Sequence, residues 1–169
     1  MKRGTKAGET PTGTGCGRET VLVAVGRAGG DRLGALADAA AEVAGPMHAT
    51  VRVLHVFEPD RFQRAVAELE YDGDRRPAPD ALARRVAPVR TVVRDLAGPL
   101  RDHGVPLRVA GRIGDDVAGE IVAEAEAVDA TRVVVGGRRR TPTGKAVFGS
   151  TAQHVLIDAA APVTFVRDP

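Results

Sequence analysis

A segment rich in glycine and arginine, residues 136–151, carries the strongest chemical signal in the sequence. It reads GGRRRTPTGKAVFGST, and its glycines let a ligand approach the backbone closely because they have no side chain. No acidic residue occurs between Asp129 and Asp158. Five positive charges lie in that window: Arg132, Arg138, Arg139, Arg140 and Lys145. Phosphate is the natural partner of such an arrangement, so the segment is a candidate phosphate-binding loop.

The elements predicted on either side decide whether this segment can hold an anion. The apolar run TRVVVG predicts a strand over 131–136, and a helix is predicted over 150–159. The first amides of a helix lack backbone partners and attract anions. Ser150 and Gln153 stand in capping-box register, so Ser150 is the expected N-cap. A solvated basic loop, whose glycines serve only its turns, is the alternative, and the residues leave both interpretations open.

Two common nucleotide motifs do not match. The Walker A pattern would need a glycine where Arg139 stands and a magnesium-binding hydroxyl where Ala146 stands. The turn GRAGG, which follows the first predicted strand at Gly26, lacks the glycine spacing of a dinucleotide site. The segment is therefore neither a P-loop nor a dinucleotide fingerprint.

Strand and helix signals alternate along the chain. Short β-branched runs predict strands at 20–25, 50–56, 106–110, 131–136 and 162–166. Apolar residues at helical spacing predict helices at 31–44, 60–70, 82–100, 117–128 and 150–159. Pro46, after Gly45, is expected to end the first helix, and Pro88 to kink or delay the third. Asp115 or Asp116 is the expected cap of the fourth, ahead of a role in Mg²⁺ binding.

This alternation predicts an α/β fold with a single doubly wound, five-stranded parallel sheet of flavodoxin or Rossmann-like type. The expected strand order is 3-2-1-4-5, because apolar strands joined by helices form parallel sheets covered on both faces. Ligands of such folds bind beyond the carboxyl ends of the strands, at the switch point. Here the switch point is expected between the first and fourth strands.

Composition limits the remaining possibilities. The 169 residues suit one domain; residues 1–19 are expected to form a disordered tail, and the folded domain to span 20–169. A net charge of +2 and few aromatic residues argue against nucleic-acid binding. No run is long and apolar enough for a membrane helix, and no signal peptide is recognised, so the cytoplasm is the expected compartment. The single cysteine, Cys16, excludes an internal disulfide framework.

The stretch over 133–166 resembles the carboxyl-terminal part of universal stress proteins. Nucleotide-binding members carry Gly, two residues, Gly, nine residues, Gly and then Ser or Thr. Gly136 matches the first position and Gly149-Ser150 the last two, whereas Arg139 stands at the second glycine. The resemblance extends to TVLVAV, to VRVLHV and to the GDD segment at Gly114, and so covers about 20–167.

The resemblance implies an ATP site. In the family the loop and the helix start hold the phosphates, and backbone after the second strand's histidine, here Val56, contacts adenine. An aspartate commonly holds the nucleoside where this chain has Gly26. Arg139 either fills the phosphate site or contacts phosphate, and a role for Mg²⁺ stays open. The expected binding residues are Gly26, Val56, Gly136, Gly137, Arg138, Arg139, Lys145, Gly149, Ser150 and Thr151.

Three functions follow from these observations. The first is an ATP-binding stress or regulatory protein with slow or no hydrolysis, since no general base stands beside the loop. The second is a nucleotide-free interaction module that forms a homodimer through the fifth strand, PVTFV, an apolar sheet edge. The third is an enzyme such as a nucleotide hydrolase, although the SGGxDS loop of adenylyl-transfer relatives is absent. The histidines lack metal-ligand spacing, and His55 is expected to pack structurally.

Overall fold

The computed structural model describes residues 19–27, 31–69, 76–137 and 149–167. The strands in these ranges are β1 (Thr20–Ala24), β2 (Thr50–Phe57), β3 (Leu107–Ile113), β4 (Ala130–Gly137) and β5 (Val163–Arg167). The helices are α1 (Asp31–Met47), α2 (Pro59–Glu68), α3 (Pro79–Ala83), α4 (Ala87–Asp102), α5 (Val117–Ala127) and α6 (Ser150–Asp158). None of these helices has the length and apolar character needed to span a bilayer. Residues 1–18, most of the predicted tail, lie outside the described ranges.

The five strands form one parallel sheet in the order β3-β2-β1-β4-β5. This confirms the predicted fold class and strand order. The central strand β1 is covered on both faces, and Val21, Leu22 and Val23 are all fully buried. Continuous β-branched runs such as TVLVA form central strands because every side chain, whichever way it points, meets a packed helix layer.

Alternate residues of the strands feed two separate cores. Val21, Val23 and Val53 pack on one face with α1 to α4. Leu22, Leu54 and Val133 pack on the other face with α5 and α6. The period-two alternation of strand side chains therefore places the helices on both sides of the sheet.

The helix predicted over 82–100 is two helices, so the single-helix prediction is wrong. α3 ends at Ala83, and α4 begins at Ala87 after Val86 as its N-cap. Pro88 stands in the first turn of α4, where its missing N–H would have had no intrahelical partner. Proline thus starts a helix here and does not kink one.

The prediction that α1 ends before Pro46 is also wrong. α1 continues to Met47 with Pro46 in its last turn. The end is closed by Ala49 N–H, which donates to the Ala44 carbonyl, and by His48 N–H, which donates to that of Gly45. His48 has a φ of 49°, the left-handed conformation that terminates many helices. Because Pro46 is the second-to-last residue of α1, it disrupts few of the hydrogen bonds within the helix.

One outer edge of the sheet, at β3, is covered by α3. The Asp80 carboxylate accepts the N–H bond of Gly111 at 2.8 Å, so α3 binds β3 directly. A Cβ on Gly111 would lie 2.2 Å from the carbonyl oxygen of Pro79. Glycine is required at this position because α3 backbone approaches too closely for any side chain.

A buried carboxylate fixes α5 against the sheet. The Glu124 side chain is completely buried, and its Oε1 lies 2.5 Å from Nε of Arg52 on β2. Arg112 of β3 contacts the other carboxylate oxygen. A buried charge is tolerated when it is paired, and losing one partner of such a group costs about 3–5 kcal/mol. Glu124 thereby connects one helix to two strands.

We expect Gly111→Ala to lower the free energy of unfolding by about 1–3 kcal/mol, because the new methyl group must displace α3 from the edge of β3. Gly34→Ala is the matched control, since Gly34 lies in α1 with nothing within 4 Å of the place that a Cβ would take. That change should stabilise the protein by about 0.5 kcal/mol. Urea denaturation of both variants measures the difference, and equal effects would contradict the close approach of α3.

Candidate functional site

A cleft opens along the carboxyl edge of the sheet where β1 and β4 lie side by side. The chain after β1 leads to α1 on one face, and the chain after β4 leads to α6 on the other, so the two connections diverge. This switch-point cleft encloses about 1160 Å³, enough for a nucleotide-sized ligand. It is bounded by the ends of β1, β2 and β4, by α2, by α5 and by the first turn of α6.

One side of the cleft, which we call the apolar side, lies under α5 and α6. Its wall is made of aliphatic side chains: Ala24, Leu54, Val56, Val117, Ile121, Val135 and Ala152. These residues belong to or border the core on that face of the sheet. A flat apolar ring could be buried against them.

The first turn of α6 begins at the edge of the cleft. Gly149 is the N-cap, with extended backbone at φ −62° and ψ 151°, and no side chain of the described residues caps the helix. Ser150 is the first helical residue, so the predicted Ser150–Gln153 capping box is wrong; Gln153 N–H donates to the Gly149 carbonyl. Ser150 and Thr151 are exposed. The leading amides of α6 are therefore left for another acceptor.

The structure brings six of the predicted binding residues to this cleft: Gly26, Val56, Gly136, Gly149, Ser150 and Thr151. Arg138, Arg139 and Lys145 lie outside the described residues. The six lie in or next to β1, β2, β4 and α6, elements far apart in the chain. Their convergence follows from the strand order, which places the ends of β1 and β4 next to each other.

The two glycines that end β4 are explained by packing. A Cβ on Gly137 would lie 2.6 Å from the ring of Phe165 on β5, and Gly137 is buried beneath that ring. A Cβ on Gly136 would lie 2.9 Å from Cδ of Arg32, whose side chain crosses from α1. Gly136 lines the cleft and also leaves room for the Arg32 side chain, whereas Gly137 leaves room for the Phe165 ring of β5.

His55 lines the cleft from the end of β2. Its Nδ1–H donates to the Val25 carbonyl at 2.7 Å, and its ring meets Phe57 edge to face with centroids 4.6 Å apart. Burial lowers the pKa of His55 below its ordinary 6.5; the Val25 carbonyl opposes this, and the positive charge of Arg27 adds to it. The packed histidine expected from the sequence is therefore neutral near pH 7.

The charged side of the cleft, which we call the α2 side, was not predicted from the sequence. It carries Arg27 after β1 and, on or next to α2, Glu58, Arg61, Arg64 and Glu68. Arg61 is held by Glu58, with Nε and Oε2 2.6 Å apart. The position of Arg27 after the first strand could have indicated a switch-point residue. The residues of α2 gave no such signal, because only tertiary packing brings α2 over the end of β2.

A smaller cavity of about 350 Å³ adjoins this side, between Asp115 and the start of α2. Asp116 caps α5 by accepting the Gly119 N–H bond at 3.0 Å, which confirms one of the two predicted caps. No group of three or more histidine, cysteine or acidic residues that could hold a metal ion occurs in the described ranges.

A parallel sheet with its cleft at the switch point defines a doubly wound α/β protein with a ligand site at the carboxyl edge. The sequence model of the Universal stress protein family matches residues 17–167. The chain belongs to the universal stress protein family. A universal stress protein of Mycolicibacterium smegmatis is 36% identical over 75 residues, 44% of this chain. The chain spans 58% of the length of that relative.

Solved structures share the fold. A universal stress protein from Archaeoglobus fulgidus matches with a TM-score of 0.61 and 26% identity, over 88% of this chain and 98% of that one. The protein of that name solved in complex with dAMP matches with a TM-score of 0.59 and 24% identity, over 88% of this chain and 97% of that one. The architecture described above is therefore shared with structures that cover almost the whole domain.

We expect the stability of the protein to fall as the pH drops below 6.5, because unfolded His55 then binds a proton that the buried ring resists. The contribution of His55 to stability is fully present above pH 6.5, and it is lost as the pH falls toward the lower pKa of the folded state. His55→Gln, whose amide can still donate to Val25, should flatten this part of the profile. Thermal unfolding between about pH 8 and pH 5 measures it.

His154→Gln is the control for that experiment, because His154 is exposed on α6. This variant should keep the acid dependence of the parent protein. An unchanged slope in His55→Gln would contradict the assignment to His55.

Proposed function

We propose that the switch-point cleft binds an adenine nucleotide, in the first instance ATP, and that the protein is a stress or regulatory protein with slow or no hydrolysis. The observation that carries the proposal is the first turn of α6, which opens into the cleft and has no side-chain cap among the described residues. Family membership and the dAMP bound to a relative of the same fold support a nucleotide as the ligand.

The phosphates would lie at the start of α6. The leading amides of Ser150 and Thr151, with the positive end of the helix dipole, suit an anion. Gly136, at the end of the neighbouring strand, borders the same part of the cleft. Arg138, Arg139 and Lys145 belong to the connection between β4 and α6, so in this proposal their positive charges would act on the same phosphates.

The base would lie against the apolar side. Leu54 and Val56 of β2 and Ile121 of α5 offer aliphatic surface there. Val56 also brings its backbone groups to the end of a strand, where they can hydrogen-bond the edge of a purine. Gly26 borders the position between base and phosphates.

Slow hydrolysis is supported by the positions of the side chains in the cleft that could act as general bases. Its described carboxylates, Glu58 and Glu68, lie on the α2 side, whereas the phosphates would lie at α6. Glu58 is paired with Arg61, and His55 is bonded to the Val25 carbonyl. A general base must reach the attacking water within hydrogen-bond distance, and Glu58 and His55 are held by other partners.

Ser150→Asp separates ligand binding from folding. A carboxylate in the first turn should stabilise α6 by about 0.3–1 kcal/mol through the helix dipole. The same carboxylate should weaken ATP binding about tenfold or more, because it repels the phosphates at the same amides. Thermal shift and isothermal titration calorimetry with ATP, ADP and AMP measure the two effects in one variant.

Ser150→Asn, of similar size but neutral, is the matched control and should bind ATP more tightly than the aspartate variant. Mass spectrometry of small molecules released from freshly purified protein tests for a retained nucleotide. Failure of all three nucleotides to shift the melting temperature of the parent protein at millimolar concentration would overturn the proposal.

A second candidate function, a homodimeric interaction module, is favoured by the difference between the two sheet edges. The β3 edge is covered by α3 through Asp80. Directly before β5, the carbonyl of Pro162 accepts a hydrogen bond from the Val133 N–H. In a parallel ladder alternate residues of a strand bond to the same neighbour, so the N–H groups of Val163 and Phe165 point away from β4. All five residues of β5 are at least partly exposed. A second copy could pair with this edge.

Val163→Pro tests the edge pairing. It removes an outward N–H while the bonds to β4 remain, so we expect the dimer dissociation constant to rise about tenfold. Sedimentation velocity over a dilution series measures it, with far-UV circular dichroism as the control for folding. A parent protein that sediments as a monomer at micromolar concentration would contradict the dimer.

A further inference from the structure

The α2 side of the switch-point cleft holds positive charge that the phosphate seat at α6 does not use. Arg27 and Arg64 both line this side. Within the described ranges neither forms an ion pair, whereas the neighbouring Arg61 is held by Glu58. Glu68, one turn further along α2, is the remaining described carboxylate of this wall. Arginine guanidinium groups are suited to phosphate through paired, charge-assisted hydrogen bonds.

Gly26 connects this side with the rest of the cleft. It lies two residues beyond the end of the central strand β1 and is exposed, and no atom of the described residues lies within 4 Å of the position that a Cβ would occupy. Its φ lies outside the left-handed region, so backbone conformation does not require glycine here. Without a side chain at this point the cleft runs without interruption from α6 to α2, and its volume of about 1160 Å³ exceeds the ordinary range of about 300–1,000 Å³.

The spacing of the strands gives the separation of the strand ends that lie closest in the fold to the two positive regions, β4 before α6 and β2 before α2. β4 and β2 flank β1 on either side. Adjacent strands lie about 4.8 Å apart, so the ends of β4 and β2 are separated by about 10 Å. A ribose that carries anionic groups at both its 5′ and 3′ positions can bridge such a distance, because the hydrogen bonds at each end extend its reach.

We propose that the preferred ligand is a nucleotide with a second phosphate on its ribose, held by Arg27 and Arg64 and admitted by the absence of a side chain at Gly26. The inference rests on the proposed function, since the first phosphate occupies the start of α6. Gly26 is then a specificity-determining residue. A carboxylate there would stand between the two phosphates and repel the second one.

Isothermal titration calorimetry with adenosine 5′-monophosphate and adenosine 3′,5′-bisphosphate, at one fixed ionic strength, tests the inference on the full chain. We expect the bisphosphate to bind about tenfold more tightly, the gain of one charge-assisted hydrogen-bonded group. Arg64→Gln should lower this ratio of affinities toward one. Arg90→Gln removes an exposed arginine of α4 outside the cleft and should keep the parent ratio.

Gly26→Asp should bring the ratio below one, and Gly26→Asn, of nearly equal size and no charge, should keep it above that of the aspartate variant. A parent protein that binds the monophosphate as tightly as the bisphosphate, or more tightly, overturns this inference and leaves the proposed function intact. A ratio that is the same in Arg64→Gln and Arg90→Gln also overturns it. Binding of neither nucleotide, nor of ATP, overturns both proposals.

Discussion

The site depends on one constraint of parallel sheets: all strands end at the same edge, and connections that leave neighbouring strands toward opposite faces must separate there. β1 and β4 are the neighbours at which this happens. Val21 to Val23 and Val133 to Val134 are fully buried, so the two strands cannot shift relative to each other without exposing the core. The position of the cleft is therefore fixed by the way in which the helices cover the sheet.

Charged side chains are arranged differently below the carboxyl edge of the sheet and at that edge. Below the carboxyl edge, the one fully buried carboxylate of the described core, Glu124, is matched by Arg52 and Arg112. At the edge itself, Arg27 and Arg64 line the cleft and form no ion pair with a carboxylate of the described residues. A buried pair fixes the position of a helix, whereas cations in a hydrated cleft retain their attraction for a ligand. Arginine thus holds a helix in place below the edge and, in our proposal, binds phosphate at the edge.

Several glycines are required by close packing within the protein, although in the sequence they look like glycines that make room for a ligand. Gly137 admits the ring of Phe165, and Gly111 admits α3 backbone. Gly26 and Gly149, in contrast, have open space where a Cβ would be. Among the described glycines that line the cleft, these two leave room for a ligand beside the backbone. A glycine-rich pattern alone does not separate these classes.

The sequence by itself determined the layered architecture. Strong period-two and helical patterns, as in TVLVA of β1 and in α5, are local properties, so the strand order and the position of the switch point could be inferred from them. It also predicted that Gly136, Gly149 and Ser150 lie beside the cleft, because they flank the loop after the fourth strand. The tertiary structure alone decided the cap of α6, the division of α3 from α4 and the placement of α2. Arg64 became a cleft residue through that placement, which arises from packing between segments distant in the chain, and no local pattern encodes such a contact.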